Sequence, residues 1–398
     1  MYDVIVVGAG PAGSLTAKTA AEGGLNVLMV ERKLDVGVPV QCGEFLPSLK
    51  EMRNLAPKAR GLEELFNPPQ RTIANRTKSV RFVFPNSKAV EVEFEGVVLE
   101  RKLFDKHLAE EAIRAGAELM VSTRALGLLP GGKGIRVRRE GSVLEIPSKV
   151  VVGADGPFSL IAREAGLPVS RDPMDYGIGH QYEMVGVEHD PEVVDMYFGR
   201  AYAPGTYAWI IPKGKDIANV GTGVRVPYME KGLSVRDYLD RFIKKHPLAS
   251  KELEGATPTA IRSGLVPVGG PLKRTYGENL LVVGDAAGHT IPTVGGGVPT
   301  AMICGRIAGE MISRHLANGY PLSRYEEEWR RELGETLQNS LRLRRMGDIT
   351  LRSDRFLNFI VERGWANEEN VLKVVRCRMN TSLRVLEGTL IRLANMFL

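Results

Sequence analysis

Tyr2-Asp3-Val4-Ile5-Val6-Val7-Gly8-Ala9-Gly10-Pro11-Ala12-Gly13 opens the chain. The apolar run is unbroken, as in a parallel strand covered on both faces, and it leads directly into glycines at G-x-G-x-x-G spacing. Each glycine has its own work: Gly8 permits the tight turn, Gly10 lets a phosphate meet the backbone, and Gly13 lets the following helix lie close on the strand. The N-terminus of that helix then turns free N–H groups and partial positive charge toward the anion. Gly23-Gly24 stop the helix, and Leu25 to Val30 form a second apolar strand ending at Glu31. A carboxylate there accepts from the hydroxyls of an unphosphorylated adenosine ribose. Strand, turn, helix, strand and acid in register predict a dinucleotide site, where glycines alone would mark only a βαβ turn.

The 398 residues are 43% hydrophobic and 25% charged, which fits a globular chain of about two domains. The first strand begins at residue two without a basic prelude, and no apolar run is long enough to span a bilayer, so a cytoplasmic protein without a signal peptide is expected. Cys42, Cys304 and Cys377 are too far apart for a metal cluster or a disulfide framework, and no metal is expected. The net charge of +6 and pI near 9.1 favour anionic partners such as phospholipid surfaces. No nucleic-acid motif or internal repeat redirects this.

After Arg32 the chain reaches Val38-Pro39-Val40-Gln41-Cys42-Gly43-Glu44, a loop that can fold over the carboxyl ends of the strands. Cys42 taken alone is either a small buried hydrophobe or a residue in contact with a ligand. Residues 51–75 are polar and helical in character. Ser79 to Phe84 and Ala89 to Leu99 read as a hairpin, Lys102 to Ala115 as a helix following Glu100-Arg101, and Glu118 to Ser122 as a strand. Arg124 to Ile146 reads as an antiparallel meander, and Lys149 to Gly153 as a parallel strand ending in Asp155-Gly156, where the aspartate is a ribose or phosphate neighbour or a helix N-cap.

From Arg171 to Gly270 short alternating strands predict a mostly antiparallel sheet with one helix, Ser234 to Lys245. Tyr207, Trp209 and Ile211 share one face of a strand, either as core or as the wall of a ligand pocket. Asn279 to Val283 then returns to an apolar strand ending in Gly284-Asp285. That second anchor favours FAD over NAD, because a ribityl chain and flavin need a distant polar contact. Gly295-Gly296-Gly297-Val298 open a helix whose bare N–H groups suit the negative charge of a reduced flavin.

Gly8 to Gly13 with Glu31, Gly153 to Gly156 and Gly284 to Ala287 together resemble the FAD-dependent oxidoreductases of the para-hydroxybenzoate hydroxylase type. Pro39 to Glu44, Tyr207 to Gly214 and Pro292 to Gly297 resemble, more narrowly, the geranylgeranyl reductase family. The resemblance implies an α/β fold with a Rossmann-like FAD-binding domain (1–75, 100–170 and 272–339). It also implies an inserted, mostly antiparallel α+β substrate domain (76–99 and 171–271) and a C-terminal helical region (340–398). FAD would be held by Gly8, Gly10, Ala12, Gly13, Glu31, Arg32, Cys42, Gly43, Arg101, Asp155, Gly156, Asp285 and Gly295 to Val298, with Cys42, Tyr207 and Trp209 at the reacting end. The implied substrate is a geranylgeranyl phospholipid and the implied electron donor is external.

The basic stretch Arg342, Arg344, Arg345, Arg352 and Arg355, with the apolar end Leu390 to Leu398, is either a packed cap or a surface for peripheral contact with a membrane. Two other functions share the general fold. A flavin monooxygenase or halogenase would use oxygen, and a prenyl carrier of the GDP-dissociation-inhibitor type would hold no flavin. Gly284-Asp285 and Gly295 to Gly297 speak against the carrier.

Overall fold

The structure is a computed structural model, described for residues 1–380 together with 383 and 385. Two eight-stranded sheets organise it. The first runs in the order Tyr276–Gly277, Leu280–Val282, Ser142–Gly153, Tyr2–Val7, Val27–Val30, Glu118–Met120, with Thr123–Leu128 and Gly134–Arg139 attached beside Ser142–Gly153. Its centre is parallel, Val4 to Val7 pairing with Val27 to Val30 on one side and with Val150 to Gly153 on the other. Val4, Ile5, Val150, Val151 and Val152 are fully buried, the burial on both faces that an unbroken apolar run requires.

The second strand starts later than expected, at Val27, because Leu25 belongs to the helix stop: its N–H reaches Ala20 O at 3.2 Å beyond Gly24 at φ +82°. That six-to-one bond is the Schellman closure. The meander and the strand expected at Lys149 are joined in one strand, Ser142–Gly153. Its first half pairs antiparallel with Gly134–Arg139 and its second half parallel with Tyr2–Val7.

The second sheet runs Thr257–Pro267, Tyr176–Val185, Ile217–Val224, Ala208–Pro212, Val193–Tyr197, Ile73–Val83, Ala89–Leu99, Phe45–Pro47. It is antiparallel except where Val193–Tyr197 lies parallel to Ile73–Val83, the joint between the hairpin and the later strands. Three strands escaped the sequence reading: Phe45–Pro47 and the edge strand Thr257–Pro267 here, and the short Tyr276–Gly277 in the first sheet. The region expected to be helical to Asn75 contains helices Leu49–Leu55 and Leu62–Leu65 and turns to strand at Ile73, which pairs with Leu99.

One face of this sheet carries the helix Val235–Lys245, started by a reciprocal Ser234 and Asp237 capping box, with Leu239 and Phe242 packed on Ile210 and Val220. The other face turns Ile211 and Trp209 toward the core that holds Val4, Val6 and Met302. Thus the strand Ala208–Pro212 divides its side chains by parity between two cores.

Helix Pro11–Glu22 is wedged between the first sheet and helix Val298–Asn318. The approach needs missing β-carbons: one added at Gly305 would lie 2.5 Å from Ala12 O, and one at Gly309 2.6 Å from Thr19 Cβ. A helix from Arg324 to Thr350 runs through residue 340, followed by Asp354–Glu362 and Glu368–Val375. The apolar end from Leu390 lies outside the described residues.

Gly305→Ala is expected to force this helix pair apart and lower stability by about 1–3 kcal/mol, as overpacking does. Gly334→Ala, whose β-carbon would meet nothing closer than Arg330 Cβ at 3.5 Å, is expected to raise it by about 0.4–1 kcal/mol. Urea unfolding midpoints of the two variants, moving in opposite directions, check both.

Candidate active site

At the first strand end the three glycines differ. A β-carbon on Gly8 (φ +105°) would stand 2.3 Å from Ala154 O, and one on Gly13 1.9 Å from Gly8 O, so both are set by packing of the turn itself. Gly10 has nothing within 4 Å of that position and no side chain caps its helix. Open space in front of an uncapped helix start, with Pro11 contributing no N–H, is a cradle that fits a pyrophosphate. Glu31 is buried and accepts from Ala9 N and Lys33 N, both at 3.0 Å, which fixes the carboxylate at the rim of that cradle. Arg32 is exposed.

Asp155 faces its own turn: it accepts from Ser159 Oγ, Leu160 N (2.7 Å) and Ile161 N (3.3 Å), while the N-cap of the following helix is Ser159, which accepts from Ala162 N at 2.9 Å. Burial raises its pKa against those hydrogen bonds. Gly156, at φ +80°, faces open space.

At the far end, Asp285 Oδ1 accepts from Thr290 Oγ1 at 2.9 Å, and a β-carbon on Gly297 would lie 2.8 Å from the same oxygen. Among the described residues nothing donates to Oδ2. Burial raises the Asp285 pKa, opposed by Thr290 and the charge of Arg101. A half-buried carboxylate with one oxygen that takes no hydrogen bond from the described residues fits a ribityl hydroxyl. Gly295 (φ +62°), Gly296 and Gly297 lead into helix Val298–Asn318, again without a side-chain cap. Both ends of the cradle therefore fit FAD.

Between these ends the Cys42 loop meets the second sheet. The half-buried Cys42 Sγ accepts the N–H of Glu44 at 3.1 Å and lies beside the Arg101 guanidinium, which is held in a fork by Asp105 at 2.7 and 2.8 Å. Tyr207 donates to Val294 O at 2.7 Å, on the threshold of the glycine loop, and burial with Cys42 nearby raises its phenol pKa, so it stays protonated. Trp209 Nε1 donates to Gln181 Oε1 at 3.0 Å, and Gln181 Nε2 donates to Cys42 O at 2.9 Å.

The indole lies over Gly221, where a β-carbon would be 2.4 Å from its Cζ2. Glycine loop, aromatic strand and cysteine loop thus form one hydrogen-bonded wall. Gln181 was missed in the sequence, and so was a buried group below the loop, Glu44 with Lys213, Asn219 and Arg262. Gly221, isolated inside a strand, was the legible sign that something large lies close.

Among the described residues no helix is long and apolar enough to cross a membrane, and no cluster of His, Cys, Asp and Glu is placed to hold a metal. The fold is shared with a variant of the halogenase PltM in complex with FAD, at TM-score 0.71 and 15% identity over 92% of this chain and 79% of that one. That likeness is one of fold, and the two-ended cradle of this chain fits the extended cofactor such a fold can hold.

A solved geranylgeranyl bacteriochlorophyll reductase-like protein from Thermoplasma acidophilum superposes at TM-score 0.85 and is 31% identical, covering 97% of this chain and 98% of that one. The model of the geranylgeranyl reductase catalytic domain matches residues 175–261. Digeranylgeranylglycerophospholipid reductase 2 of Methanopyrus kandleri is 38% identical over 383 residues, 94% of this chain and 93% of that protein. The chain belongs to this geranylgeranyl reductase family.

Asp285→Ala removes the carboxylate that has an oxygen to offer. FAD affinity measured by titrating apoprotein is expected to fall by about 1.5–3 kcal/mol, roughly tenfold or more.

Proposed function

We propose that the protein saturates C=C bonds in the geranylgeranyl chains of archaeal-type membrane phospholipids. The observation that carries this reading is the wall in which Tyr207, Trp209 and Gln181 tie the flavin-side glycine loop to the Cys42 loop. FAD held at Gly10, Glu31 and Asp285 would, when reduced, supply the hydride chemistry that alkene saturation needs. The protein's part is to hold the cofactor at Gly10, Glu31 and Asp285, to orient the alkene, and to keep water away.

Cys42, Tyr207 and Trp209 face the reacting end. Tyr207 is oriented by Val294 O, and the indole is pinned flat across Gly221 as a surface for a prenyl chain. The uncapped helix start at Gly297 would favour negative charge on a flavin held beside it.

A prenyl chain of about twenty carbons gains on the order of 15 kcal/mol on leaving water, at roughly 0.8 kcal/mol per carbon. A bilayer offers nearly as much, so shape and alignment in the pocket must extract and position the chain. The substrate part is assigned to residues 76–99 and 171–271, the FAD-binding part to 1–75, 100–170 and 272–339, and a C-terminal region to 340–398. Membership of the two sheets agrees with the first two apart from Phe45–Pro47 and the start of Ile73–Val83, which lie within 1–75 but belong to the second sheet. A cytoplasmic protein in peripheral contact with the membrane surface, fed by an external electron donor, completes the proposal. The basic balance of +6 supports attraction to anionic headgroups.

The test is anaerobic: chemically reduced protein is mixed with digeranylgeranylglyceryl phosphate, flavin absorbance is followed, and product mass is read. Reoxidation with a gain of two hydrogens per saturated bond is expected. Trp209→Ala is expected to slow reoxidation by about tenfold or more with FAD content unchanged, since the indole shapes the pocket and does not hold the cofactor. Flavin that stays reduced with prenyl lipid but reacts through oxygen on an aromatic substrate overturns the proposal in favour of a monooxygenase.

A further inference from the structure

The Cys42 loop ends on a residue to which no role has yet been given. Glu44 has φ +73°, in the left-handed region that favours glycine, and its side chain is fully buried. Glycine would hold this backbone with less strain. A buried carboxylate in its place signals that the side chain itself is needed. Oε1 accepts the N–H of Arg101 at 3.0 Å. Oε2 accepts Asn219 Nδ2 at 2.8 Å and Lys213 Nζ at 2.9 Å, and is paired with the Arg262 guanidinium. Lys213 and Arg262 share a second carboxylate, Glu183, at 2.9 and 2.7 Å, and Lys213 also meets the partly exposed Glu100 at 2.7 Å, so each buried charge has opposite charges beside it.

Three strands of the second sheet thus converge on one carboxylate: Ala208–Pro212 through the adjoining Lys213, Ile217–Val224 through Asn219, and Thr257–Pro267 through Arg262. The same residue gives its own N–H to Cys42 Sγ at 3.1 Å, and its Oε1 holds the first N–H of the helix that carries Arg101. We propose that Glu44 is a positioning residue: its buried carboxylate locks the Cys42 thiol in register with Arg101 and with the aromatic strand, so that substrate sheet and cysteine loop move as one body. A structural turn residue would need only the left-handed backbone. A positioning carboxylate cannot be replaced by glycine.

That difference gives the experiment, whose activity arm rests on the geranylgeranyl reading and whose labelling arm does not. Cys304 is 0% and Cys377 2% exposed, so iodoacetamide on the FAD-loaded protein, read by peptide mass, reports on Cys42. In Glu44→Gly and Glu44→Gln, Cys42 alkylation is expected to accelerate about fivefold or more. Turnover of the geranylgeranyl lipid is expected to lose about tenfold in kcat, with KM within about threefold and FAD content kept, because alignment and not binding is disturbed.

A Glu44→Gly protein with wild-type kcat and wild-type alkylation overturns the proposal, since the backbone conformation alone would then suffice. Should both variants come out without FAD, Asn219→Ala, which removes one donor to Oε2 and one to Gly43 O (3.2 Å), decides. Faster alkylation with lower kcat supports the lock, and no change in either defeats it. Wild-type protein inert toward the lipid, with the alkylation response intact, removes the substrate reading and leaves the positioning role standing.

Discussion

The structure depends on a close approach between two helices that only glycine allows. Helix Pro11–Glu22 is pressed against its own strand turn at Gly13 and against helix Val298–Asn318 at Gly305 and Gly309, where added β-carbons would meet backbone or side-chain atoms at 1.9, 2.5 and 2.6 Å. Protein interiors do not yield to such overlap. The packing joins two uncapped helix starts, one at Gly10 and one at Gly297, in a single rigid frame. An extended cofactor with phosphates near one end and an electron-accepting ring near the other meets both dipoles only if their spacing is fixed.

Elements whose signals are local were legible: the opening strand and turn, the hairpin around Pro85, helix Val235–Lys245, and the strand ending in Gly284-Asp285. What failed was long-range. Thr257–Pro267 carries two prolines and a glycine and is half exposed along an edge, so it shows no clean alternation. Ser142–Gly153 was split because its outer half is exposed while its end, Val150 to Gly153, is buried.

In the site, Cys42, Tyr207 and Trp209 stood out by their motifs, and all three come together. Gln181 did not stand out, because a glutamine in a strand has no pattern of its own. Glu44 is 169 residues from Lys213 and 218 from Arg262 along the chain, so only the folded structure reveals them as one group.

The halogenase likeness and the reductase family divide the same way. Fold neighbours at 15% identity share the frame that holds a flavin, and that frame is silent about what the flavin acts on. The reductase relative is 38% identical over 94% of this chain, so there the likeness is one of sequence through both sheets and not of frame alone.

The strand Thr257–Pro267 has a further consequence. Among the described residues no strand pairs with its outer side, and Ile261 is 64% exposed, which is a template for sheet-to-sheet association between copies. Three features blunt it. Pro258 and Pro267 supply no N–H, the register slips between Glu183 and Met184 and twists the edge, and Arg262 carries its charge inward to Glu44 and Glu183. The arginine that completes the buried cluster therefore also guards solubility. A change at that position that preserved the local packing would still leave the molecule with a stickier edge.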